Sequence, residues 1–149
     1  MISAPSSLGF LARIEILGRE IARLVERVEP QITVVEKIFL GKNADSAFKL
    51  GHIRGVCLIE ALKIKSEVVE YAARSVKKGV TGNGASSKEQ VQTMLYAVLG
   101  LKMSDHDKLK IDASDALALA FYHGRTIEFD SRMKQQMSRK NISGIKEQL

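Results

Sequence analysis

The chain has 149 residues, the length of one domain, and at 45% hydrophobic and 27% charged it has the composition of a folded globular protein. One cysteine excludes a disulfide framework and a cysteine-built zinc site and fits a reducing, cytoplasmic compartment; no apolar run approaches the roughly 18 residues of a membrane span, and no signal peptide opens the chain. A net charge of +6 favours an anionic partner, nucleic acid first, and 5% aromatic residues without Trp leave an aliphatic core.

Ile14, Leu17, Ile21, Leu24 and Val28 recur at spacings of three and four, which predicts an amphipathic helix that Pro30 stops. The β-branched run Ile32–Glu36 reads as a buried strand, yet it ends on a carboxylate for which a buried strand has no structural use. Residues 39–43 read as a loop, with Asn43 as N-cap of a helix from Ala44 to about Ile64. Gly51 and Gly55 inside that helix each cost about 1 kcal/mol relative to Ala, so they suggest a close helix–helix crossing, within the chain or across a homodimer seam. Cys57 in the same helix reads as a small buried hydrophobe.

Glu67–Tyr71 reads as a second short strand, 72–78 as a helical turn or two, and 79–84 as a loop. Ser87-Lys-Glu-Gln90 is a capping box opening a helix to about Leu99. A polar stretch to Lys110 precedes an Ala-rich helix over 112–120. Past Arg125 periodicity fades, so residues 1–124 are expected to form the domain and 125–149 a basic, mobile tail. Charge follows the same map. Basic residues exceed acidic ones by four to two over 36–54, six to four over 60–89 and six to three from Arg125, whereas 102–115 inverts to three against four. Positive flanks bracket one acidic patch.

Glu36, Asp112 and Asp115 are the carboxylates of interest. Asp112 and Asp115 share one helix face, where helix-dipole stabilisation alone is a sufficient role. Glu36 ends a strand, which is where α/β folds place their chemistry. Brought together, the three would repel unless a divalent cation neutralised them, and hard oxygen donors suit Mg²⁺ or Mn²⁺. Such clusters drive two-metal phosphodiester hydrolysis. Spacing by itself does not bring Glu36 to the aspartates.

A resemblance does. Residues 35–39, 42–47, 49–51 and 54–55 closely resemble the central signature of the RuvC Holliday-junction resolvases, and 71–77, 82–84, 88–91 and 112–118 continue it in order, so that the likeness runs from about Leu8 to His123. The resemblance implies an α/β, RNase-H-like fold and a homodimer that cuts four-way DNA junctions with Mg²⁺ or Mn²⁺, with branch-migration proteins as further partners. It makes Glu36, Asp112 and Asp115 catalytic metal ligands. Phe39 becomes an aromatic stacking on bases near the crossover, and Lys77 and Lys88 become basic residues near the scissile phosphate. The helix carrying Gly51, Arg54 and Gly55 resembles the dimerisation helix.

One feature departs from the pattern. The family opens with a strand bearing Gly-Ile-Asp-Pro-Gly, whose Asp is a metal ligand, and these 149 residues contain no such segment. The expected fold is therefore truncated at the N-terminus, helix-rich, with a reduced sheet. Three explanations stand: a fragment or miscalled start; a short protein that binds junctions without cutting them; or a substitute ligand such as Glu70 or Asp45. Without the resemblance, Phe39 reads as a core plug and Lys77 and Lys88 as solvated surface lysines.

Overall fold

The computed structural model describes residues 2–37, 44–101 and 111–146, and within these the side chains of 111–112 and 135–146 lie outside the description. The order of elements is α1 (Phe10–Val28), β1 (Ile32–Glu36), α2 (Ala44–Lys63), β2 (Glu67–Tyr71), α3 (Ala73–Thr81), α4 (Lys88–Leu99) and α5 (Ile111–Lys146). The chain divides into two compact units, Met1–Ser75 and Val76–Leu149. The boundary expected at residue 124 falls inside α5, whose backbone stays helical to Lys146.

In the first unit α1 ends at Glu29, which takes the left-handed conformation (φ 45°) and donates its N–H to Val25 O at 2.8 Å, one residue before Pro30 forbids continuation. α1 packs on α2, with Gly18 facing Val56 and the Phe10 ring meeting His52 edge-on at 5.7 Å. Gly18, rather than Gly51 or Gly55, is thus the glycine at which α1 and α2 meet. Outside α2's own backbone no described atom lies within 4 Å of a Cβ built at Gly51 or Gly55, so among the described residues no helix crosses there. Cys57, expected to be buried, is half-buried; loss of water around it is the main cause of a raised thiol pKa.

α2 closes with paired bonds from Lys65 N to Leu62 O and Ser66 N to Ala61 O, each 3.0 Å, around Lys65 at φ 59°. That sharp stop delivers the chain into β2. β1 and β2 pair in parallel with Ile32 opposite Glu67 and Glu36 opposite Tyr71, α2 being the crossover that a parallel pair requires. A hydroxyl pair, Thr33 and Ser66 at 2.8 Å, ties the strand starts. Ile32 to Val35 are half-buried, where a fully buried strand was expected, because β1 has one strand neighbour among the described residues.

The second unit holds a denser core. Val76, Val80, Val91, Leu95, Tyr96 and Ala118 are buried, with the hydroxyls of Ser86 and Ser114 among them. α4 begins at the expected capping box: Gln90 N donates to Ser87 Oγ at 3.3 Å, and Ser87 N to Gln90 Oε1 at 2.8 Å. It stops at Gly100, φ 65°. The loop expected from Gly79 begins later, at Gly82, because α3 continues to Thr81. Thr81 prolongs the helix by donating its hydroxyl to Lys77 O at 2.8 Å and accepting from Asn83 N at 3.2 Å.

Candidate metal centre

Glu36 is the last residue of β1, and its side chain is exposed. The ladder runs one bond further, from Lys37 N to Tyr71 O at 2.9 Å, so the backbone beneath Glu36 is held on both sides. Side chains alternate along a strand, so Glu36 emerges on the face of its partner Tyr71, opposite to the Val35–Glu70 row. That opposite row is where α2 acts. Arg54 of α2 forms an ion pair with Glu70 and points its Nε at Glu36 O, 3.4 Å away. One guanidinium thereby links α2 to the C-terminal ends of both strands.

This arrangement engages both substitute ligands that the sequence leaves open. Glu70 is bound to Arg54 on the face away from Glu36, and Asp45 is paired along α2 with Lys49 at 2.5 Å. Arg54 is the contributor that sequence reasoning missed. The signature carries it only within a helix that resembles the family's dimerisation helix, and its partner lies beyond a whole crossover, out of reach of any spacing rule.

In the second unit Asp115 is half-buried on α5 and accepts an ion pair from Lys88 Nζ at the start of α4. Asp112 precedes it by one helical turn on the α5 backbone, and its side chain lies outside the described residues. Lys77 is half-buried on α3. It and Lys88 are near enough to Glu89 that their charges help to lower that carboxyl's pKa, after the Ser87 hydroxyl and the helix's first-turn N–H, which contribute more. Both basic residues expected near the scissile phosphate therefore act electrostatically on the first turn of α4. Phe39 lies outside the described residues.

Among the described residues no three His, Cys, Asp or Glu side chains stand together. Glu36 belongs to the first unit and Asp115 to the second. The donor chemistry nevertheless fits a hard divalent cation: Glu36, Asp112 and Asp115 offer carboxylate oxygens alone, and Asp115 already holds a cation, the Lys88 ammonium.

A family model described as crossover junction endodeoxyribonuclease RuvC matches residues 1–123. The chain belongs to the RuvC family. The crossover junction endodeoxyribonuclease RuvC of Bdellovibrio bacteriovorus is 53% identical over 130 residues, covering 87% of this chain and 73% of that protein. The Pseudomonas fluorescens RuvC is 42% identical over 114 residues, 76% of this chain and 63% of its own. Among solved structures, Thermus thermophilus RuvC superposes with a TM-score of 0.70 at 27% identity, and RuvC from the same organism in complex with Holliday junction substrate with 0.73 at 26%. The latter match covers 89% of this chain and 76% of that one. The α/β, RNase-H-like fold class follows from these neighbours, and the reduced parallel sheet is its local expression here. The chain spans 73% of the Bdellovibrio protein's length and 63%, less than two thirds, of the Pseudomonas protein's. Among the described residues no helix is long and apolar enough to cross a membrane.

Proposed function

We propose that this RuvC-family chain forms the acidic and basic faces of a metal-dependent endonuclease for four-way DNA junctions. The observation that carries the reading is the exposed placement of Glu36 at the C-terminal end of β1 in a chain that matches the family model over residues 1–123. Glu36, Asp112 and Asp115 would hold Mg²⁺ or Mn²⁺, with Mg²⁺ the resident ion. Divalent ions bound there supply an activated water and a stabilised leaving oxygen. Lys77 and Lys88 contribute positive charge to the phosphate, whose equatorial oxygens gain charge as the P–O bond breaks. Phe39 stacks on bases near the crossover. Specificity comes from junction shape and phosphate positions, not from base edges.

The homodimer is proposed on α2. Phe48, Gly51, Gly55, Ile59 and Leu62 fall on one stripe of that helix, and Phe48, Ile59 and Leu62 are 68%, 56% and 61% exposed. Two such stripes with small residues at their centre can approach closely. Branch-migration proteins are proposed as further partners.

Cleavage of a synthetic four-way junction by the 149-residue chain in Mg²⁺ tests the reading. Symmetric nicks are expected that disappear with EDTA and with Glu36→Gln, Asp112→Asn or Asp115→Asn. Cleavage that survives Asp112→Asn overturns the ligand assignment. The alternative outcome is junction binding without cutting. Tight, structure-selective binding by a folded dimer with no nicks would establish it.

A further inference from the structure

Lys88 occupies an electrostatically unfavourable place. It is the first residue of α4, directly after the N-cap Ser87, where the partial positive charge of the helix end repels a cation and suits the neighbouring Glu89. Its ammonium is committed to a partner far along the chain, Oδ2 of Asp115 on α5. The side chains are 49% and 33% exposed, so solvent ions reach the pair. An ion pair of that exposure is weak and exchangeable.

Two assignments meet in this one contact. Asp115 is the proposed metal ligand, and Lys88 is the proposed phosphate contact. While Lys88 sits on Oδ2 it occupies one of the two oxygens that Asp115 could offer a divalent ion. The stronger field of a divalent ion at the same oxygen displaces a monovalent ammonium. An ammonium displaced from Asp115 adds to Lys77 as positive charge acting near Glu89 at the start of α4.

We propose that Lys88 is an exchangeable counter-ion of the metal centre, which neutralises Asp115 in the metal-free protein and is released toward the DNA phosphate when a divalent cation takes its place. The inference rests on the reading of Asp115 as a metal ligand and adds a regulatory consequence to it. Metal binding and phosphate binding become coupled through one side chain, and linkage requires that junction DNA tighten metal binding by the factor by which metal tightens junction binding.

Binding of Mn²⁺ alone, followed at low salt by the electron paramagnetic resonance signal of the free ion, tests this in the full chain. Lys88→Gln removes the competing cation and is expected to bind Mn²⁺ about twofold to fivefold more tightly, the range that a half-exposed ion pair spans. Lys88→Arg keeps the competitor and should match the wild type, and the gain in Lys88→Gln should shrink in high salt. In the wild-type chain, Mg²⁺ should move the Lys88 Cε resonance over the same concentrations that move the Asp115 carboxylate resonance, a measurement that needs no variant to fold. If Asp115→Asn weakens Mn²⁺ binding while Lys88→Gln leaves it unchanged or weaker, the exchange is overturned and the metal reading stands. If Asp115→Asn leaves Mn²⁺ binding unchanged, the ligand assignment falls and the exchange falls with it.

Discussion

Gly79 of α3 lies against the ring of Tyr122 on α5 so closely that a Cβ at position 79 would fall 2.2 Å from ring atoms Cδ2 and Cε2. No real Cβ contact is that short, so a methyl group there must push the ring or the helix aside. Gly79→Ala is expected to destabilise the chain by about 1–3 kcal/mol, the usual range for overpacking. Chemical denaturation should show this, and Tyr122→Leu in the same chain should restore part of the loss. A neutral Gly79→Ala would mean that the ring yields freely.

The same contact shows where reading the sequence stops. Gly79 reads as the start of a loop because the residue that demands a glycine inside a helix stands on another element, far along the chain. Gly51 and Gly55 advertise a helix crossing by their spacing, but spacing does not say with what: among the described residues α1 meets α2 at Gly18 instead, and the seam between copies is left to them. By contrast β1, β2 and the Ser87 cap were legible, because β-branched runs and a capping box act over a few neighbouring residues. Glu36 was legible as an unexplained carboxylate at a strand end. The Arg54–Glu70 pair that braces it was not, since parallel strands bring these residues together only after the crossover has formed.

Arg54 should matter to the site without touching substrate. Replacing it with Met keeps much of its aliphatic bulk, releases Glu70 and withdraws the contact to Glu36 O. The expected cost in stability is about 0.5–1.5 kcal/mol, because Glu70 remains partly solvated. The sharper readout is local. Hydrogen exchange at the Lys37 amide, which closes the ladder onto Tyr71 O, should accelerate more than exchange at Val34. Uniform acceleration along β1 would argue for a merely global role.

Ser87 connects helix capping to pH. Its hydroxyl is the main cause of the lowered pKa of Glu89 and also accepts from Gln90 N. A carboxyl whose folded pKa is depressed contributes stability above its unfolded pKa, and that contribution fades as pH falls through the folded value. Ser87→Ala should therefore cost about 1 kcal/mol at neutral pH for the lost cap. Stability curves of the two proteins should then draw closer, without meeting, as pH drops below the ordinary Glu range, because the bond to Glu89 titrates and the cap bond to Gln90 N does not. Parallel curves down to pH 3 would place the Ser87 effect entirely in the cap.

Salt dependence separates the two lysines. A lysine that contacts a junction phosphate releases counterions on binding, so its loss reduces the slope of log affinity against log salt by about 1. Lys77→Gln should do so in either EDTA or Ca²⁺, an ion that fills oxygen sites while disfavouring cleavage. Lys88 is held by Asp115 in the metal-free protein, so Lys88→Gln should change the slope little in EDTA and by about 1 once a divalent ion is present. Equal slopes for Lys88→Gln and wild type under both conditions would show that this lysine serves Asp115 alone. A full reduction in EDTA would show that DNA, and not the metal, is what draws Lys88 away from the carboxylate.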